Sequence, residues 1–168
     1  MADPAKTIRK KERKQKLYVF LIRWWSVGAV YFFIAWGTQL GRYSDTADLV
    51  FFLGTSIGLF TTLIVNPALK MLFNAGWHKA YGSSTAWERL RIRLLDVGLA
   101  LLITLVVSFL YEGINRTAIV LLDLQEDQVF LPGEPILFGL FYTLILTAVL
   151  FLLSQSGKML NKKNKDNQ

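Results

Sequence analysis

Four apolar stretches of membrane-spanning length, separated by segments that alternate between basic and acidic, leave this chain very few folds. Residues 17–40 are interrupted only by Arg23, 49–69 and 136–153 carry no charge, and 97–111 is clean within a longer apolar segment, 94–114. A helix rises about 1.5 Å per residue, so about 20 apolar residues cross the ~30 Å hydrocarbon layer. Lipid offers the backbone no hydrogen bonds, and runs of this length therefore span it as helices. The expected fold class is an all-α integral membrane protein, a four-transmembrane-helix bundle with spans near 17–40, 48–69, 94–114 and 135–155.

The net charge of +7 could suit nucleic acid, but its distribution points to a bilayer instead. Seven basic residues lie between Lys6 and Lys16, five between Lys70 and Arg93, and four between Lys158 and Lys165. The two other connections hold only Arg42 and Arg116 among Asp45, Asp48, Asp123, Glu126, Asp127 and Glu134. Cytoplasmic loops of membrane proteins carry the excess of Lys and Arg, so both termini and the 70–93 loop are expected inside, with a plasma (inner) membrane location. The acidic connections, including the 115–134 loop, then lie outside. Residues 1–16 form a basic arm and 156–168 a basic tail, and both suit anionic lipid headgroups. The first apolar run is too long for a cleaved signal peptide and has no small-residue cleavage site, so it reads as a retained span.

Nothing in the chain assembles an enzyme. It has no cysteine, a single histidine in His78, and none of the HExxH, GxSxG, P-loop or dinucleotide patterns that bring a metal, nucleophile or phosphate cradle together. No cofactor and no metal are expected. His78 stands among Trp77, Tyr81, Trp87, Lys79, Arg89 and Arg91, an aromatic and basic segment suited to lipid headgroups or a partner surface. Ser84 or Thr85 is placed to cap a helix running through Glu88 into the third span. Asn66 and Pro67 predict a kink or an end to the second span, because proline lacks the amide donor. An interfacial helix or lid is expected within 115–134.

Gly54 and Gly58, with Thr62 continuing the row, make a small-residue face where another helix can approach closely, more readily within the bundle than in a homo-oligomer. In the third span Asp96, Ala100, Thr104, Ser108 and Glu112 recur every fourth residue, and Gly139, Thr143 and Thr147 answer in the fourth; both stripes are expected to face the interior. Arg23 lies close enough to the basic end to snorkel, which reads as anchoring. Sixteen residues of helix, about 24 Å, separate Asp96 from Glu112, so the two acids sit near opposite membrane boundaries, one turn from Arg93 and Arg116 respectively. A second reading gathers Gln39, Ser108, Glu112, Tyr142 and Thr143 into an outward-facing polar pocket for a cation, an amine or a lipid headgroup, since ionisable groups at membrane depth mark function by default. The function these features suggest is a small non-enzymatic multi-pass membrane protein, an accessory or scaffolding subunit of a larger membrane complex. The alternative is a small transporter or channel-like protein using that outer pocket.

Overall fold

The computed structural model describes residues 4–37, 46–73, 85–123 and 134–166. Among these residues there is no strand; every long element is helical. The first span is Pro4–Tyr31 followed by a π-helical turn, Phe32–Gly37. The second is Thr46–Phe60, a π-helical segment Thr61–Val65, and Asn66–Phe73. The third is Ala86–Leu122 and the fourth Glu134–Asp166. All four are long and apolar enough to cross a membrane, over Lys10–Ala35, Ala47–Phe73, Ala86–Leu122 and Glu134–Gln155.

Several boundaries differ from expectation, each for a local reason. The basic arm is helical from Pro4, continuous with the first span. The third helix has 37 residues, or ~55 Å, and so is longer than a ~30 Å hydrocarbon layer. At the basic end it starts after Thr85, which occupies the cap position in an extended conformation without a side-chain cap bond. At the acidic end it absorbs 115–122 and stops where Asp123 turns left-handed at φ 49°; the rest of the segment expected to hold an interfacial helix or lid, 124–133, lies outside the described residues. Asp is among the few non-glycine residues that tolerate this conformation. Pro67 ends nothing. The amide of Asn66 bonds the carbonyl of Thr61, a π-type step, and this extra residue in the turn accommodates the missing proline donor.

The bundle is two helix pairs. The first span packs chiefly on the fourth, the second chiefly on the third. Glycines set both seams. A Cβ on Gly139 would stand 2.8 Å from the Trp24 carbonyl oxygen and 2.9 Å from the Gly28 nitrogen, and one on Gly28 would stand 2.9 Å from the Pro135 oxygen. In the other pair, a Cβ on Gly54 would meet the Leu101 Cα at 3.0 Å, and one on Gly58 the Val97 Cα at 2.9 Å. The Gly54/Gly58 face is thus occupied by a sibling helix, as close small-residue packing in lipid requires. Trp24 Nε1 adds a 2.8 Å hydrogen bond to the Ile136 carbonyl across the first seam. Between the pairs lies one core of larger side chains, with Val27, Tyr31, Leu53, Ile57, Ile103, Val107, Phe138 and Tyr142 all buried.

Candidate functional site

The third-span stripe does not stay on one face. Residues four apart advance by about 400°, so each step drifts about 40° and four steps about 160°. Accordingly Asp96 is half-buried, Ala100 and Thr104 are buried, Ser108 is half-buried, and Glu112 is exposed. The same drift takes the fourth span from buried Gly139 and Thr143 to exposed Thr147. The expectation that both stripes face the interior therefore holds for Ala100 and Thr104 in the third span and for Gly139 and Thr143 in the fourth.

The residues grouped as an outer pocket separate. Glu112 and Ser108 line a groove of about 760 Å³ on the outside of the second and third spans, with Ala47, Phe51, Gly98 and Phe109. Glu112 accepts from Arg116 Nη2 at 2.5 Å, the one-turn pairing its spacing predicts. Tyr142 lies in a different cavity, towards the basic end. Thr143 is fully buried and donates its hydroxyl to its own helix at the Gly139 carbonyl, 2.8 Å away, so that donor is already used. Gln39 and His78, with Trp77 and Tyr81, lie outside the described residues.

What the fold does bring together is a polar hub nearer the basic end. A cavity of about 30 Å³ is lined by Arg23 from the first span, Thr61, Thr62 and Asn66 from the second, Asp96 from the third and Tyr142 from the fourth, closed by Leu99, Ala100 and Leu146. Every span contributes a polar group. Asp96 and Tyr142 both lie within electrostatic reach of the Arg23 guanidinium. Arg93, one turn before Asp96 on the same helix, is exposed. Arg23 Nε and Thr62 Oγ1 are buried without a hydrogen-bond partner in the protein. The π-helical segment Thr61–Val65 precedes Asn66 and Pro67, and such bulges concentrate at functional sites because they re-aim side chains.

Arg23 is half-buried and borders this inner cavity, a placement that its reading as a snorkelling anchor did not include. The cavity it borders is lined by polar residues of the three other helices. Arg23 also lines a second, larger hollow of about 680 Å³ with Glu12, Gln15, Lys16, Phe20 and Thr147, a vestibule at the basic end of the first and fourth spans. Gln15 Nε2 donates to the Phe73 carbonyl, and Tyr18 stacks on Phe73 with ring centroids 6.2 Å apart, so the vestibule's helix is fastened to the end of the second span.

At the acidic end, sequence reasoning missed a buried acid. Glu134, in what reads as a turn before Pro135, is the first residue of the fourth helix and 8% exposed. Tyr31 donates to its Oε1 at 2.5 Å while Tyr31 stacks on Phe138, at 4.5 Å between centroids. The other Glu134 carboxylate oxygen, Oε2, is buried without a hydrogen-bond partner among the described residues. No group of three metal-ligating side chains converges among the described residues.

Fold and site together define an all-helical bundle whose four long helices are apolar enough to cross a membrane and enclose a polar cluster. Comparison with protein-family models, with curated proteins and with solved structures finds no match for this chain.

Proposed function

We propose that this protein is a non-enzymatic accessory or scaffolding subunit, both tails cytoplasmic in a plasma (inner) membrane, that receives a transmembrane helix of a larger partner along its third span. The observation that carries this reading is a continuous uncovered face. The groove of Gly98, Leu102, Leu105, Ser108 and Glu112 runs through Phe109 into a second hollow of about 680 Å³ with Leu110, Gly113, Ile114, Leu121 and Leu122. Gly98 and Gly113 stand on it with nothing within 4 Å of an added Cβ. Glycine weakens a helix relative to alanine by about 1 kcal/mol, and in membranes it is concentrated where another backbone comes close. The seam glycines Gly54, Gly58, Gly28 and Gly139 all have such a neighbour; Gly98 and Gly113 have the room for one.

Copurification in mild detergent tests the proposal. A stoichiometric membrane protein should accompany the parent chain and be lost from Gly98→Leu, which fills the groove without touching the core. A chain that purifies alone under every mild condition, or a partner that Gly98→Leu retains, refutes it. Reporter fusions at both tails should report the same side; tails on opposite sides contradict the orientation.

The alternative, a transporter with a polar pocket around Glu112 at the acidic end, has weaker support, because Glu112 is engaged with Arg116 on a lipid-facing groove. The polar hub around Arg23 and Asp96 is the feature that favours a role for charge within the membrane.

A further inference from the structure

We propose that the hub is a hydrated proton-binding site reached from the basic end of the bundle, with the Asp96 carboxylate taking the proton and Arg23 standing between the vestibule and the inner cavity.

The argument begins with cost. A charged side chain at membrane depth is expensive unless it is paired or watered, and such residues generally face a bundle interior or a water-filled space. Arg23 and Asp96 do face an interior, across one cavity. Their charges cancel, so the site does not call for a second ion. Two unpartnered polar atoms, Arg23 Nε and Thr62 Oγ1, nevertheless border the space and need an acceptor. A neutral acceptor small enough for a cavity of about 30 Å³ is water. One probe sphere of ~10–15 Å³ holds a water when two to four polar groups surround it, and Asn66, Asp96 and Tyr142 supply further groups on the same wall.

Access follows from Arg23 lining both hollows. The vestibule descends one stripe of the first helix, through Glu12, Lys16 and Phe20 to Arg23, with Thr147 opposite, and its rim is polar. The cavity continues on the other side of the guanidinium. Above it the core is closed by Ile57, Ile103 and Val107, each 2% exposed or less. The path therefore opens at one end only.

Asp96 is the group that can titrate there. From the first span it faces Arg23 and from the fourth Tyr142; the second span offers only Thr61, Thr62 and Asn66, none of which ionises near neutrality. Its own helix adds Arg93, which is exposed. Arginine stays charged in proteins. Binding one proton from water thus converts the carboxylate to the acid and takes the site from neutral to a single positive charge, with no other bond made or broken.

Carbodiimide labelling of the native chain in membranes is the first test. Dicyclohexylcarbodiimide dissolves in lipid and adds to protonated carboxyls, so the peptide bearing Asp96 should carry the adduct by mass spectrometry, more at low pH than at high. The adduct should disappear from that peptide in Asp96→Asn. The second test uses the absence of cysteine from the chain. A small hydrophilic thiol reagent should modify Thr147→Cys and Thr62→Cys from the side at which Lys16→Cys reacts, and should leave Val107→Cys unmodified from either side. An Asp96 peptide that never gains the adduct, or a Thr62→Cys as inert as Val107→Cys in a chain that elutes like the parent, would show a sealed ion pair and overturn the proposal.

Discussion

Adding one methyl group at Gly139 tests the helix-pair architecture directly. The new Cβ would lie 2.8 Å from the Trp24 oxygen and 2.9 Å from the Gly28 nitrogen, both backbone atoms that cannot rotate away. Close C···O contacts are comfortable near ~3.3 Å, so the first and fourth helices must part by about 0.5 Å. The Trp24–Ile136 hydrogen bond, 2.8 Å long, spans the same seam and would lengthen with it. An equal displacement takes it to ~3.3 Å, past the ~3.2 Å limit of a good N–H···O bond. Overpacking costs about 1–3 kcal/mol, and weakening the bond up to about 1 kcal/mol more. Alanine returns about 1 kcal/mol of helix propensity, leaving a net loss of up to about 3 kcal/mol. Gly98→Ala meets open space and should keep the propensity gain alone, about 1 kcal/mol. Unfolding by SDS in mixed micelles, followed by far-ultraviolet circular dichroism, measures both. Midpoints that move in opposite directions support the architecture; if the two variants move together, the close approach of these helices is refuted.

Two further predictions concern the acidic end. Tyr31→Phe removes the donor to buried Glu134 and should destabilise by about 1.5–3 kcal/mol, the range for hydrogen bonds to charged groups. A double-mutant cycle with Glu134→Gln should show coupling between the two sites, whereas additive losses would mean that they do not interact. Glu112→Gln should change stability by less than about 0.5 kcal/mol, since an exposed one-turn ion pair contributes little; a loss several times larger in the same micelle titration would mean that Glu112 is held by more than Arg116.

The four spans and the Gly54/Gly58 contact are legible in the sequence because each is a property of one helix: length, apolarity, or a small residue every fourth position. The hub was half legible. Arg23, Asn66 and Asp96 each lie within a turn or two of the basic end of their spans, and antiparallel helices put them at one depth. Rotation about each helix axis decides whether they converge or diverge, and a sequence does not display it. The π-helical segment Thr61–Val65 alters that rotation for the second span in a way that Pro67 hints at but does not specify. Glu112 and Tyr142 part for the same reason: depth grouped them, while the drift of a four-residue repeat turned Glu112 to the exposed side. Gly28 gave no signal, since its counterpart Gly139 belongs to another helix. Glu134 looked like a loop acid because the helix begins at it.

The hub sits where the two glycine-sealed pairs meet, and this links the two proposals. Within each pair the backbones are in contact and cannot slide without clashing; between the pairs, larger side chains and the polar cavity form the junction. A change of charge at Asp96 therefore acts on how one pair lies against the other. Asp96 and Gly98 are two residues apart, about 200° around the third helix, so a rotation that moves Asp96 in the cavity moves Gly98 in the groove on the far side. If Asp96 takes a proton and the groove takes a helix, retention of the partner should change with pH in the parent chain. In Asp96→Asn, which holds the uncharged form at every pH, that dependence should vanish while the partner is still captured. Retention that varies with pH identically in the two chains would show that the groove and the hub act separately, even with each proposal correct on its own.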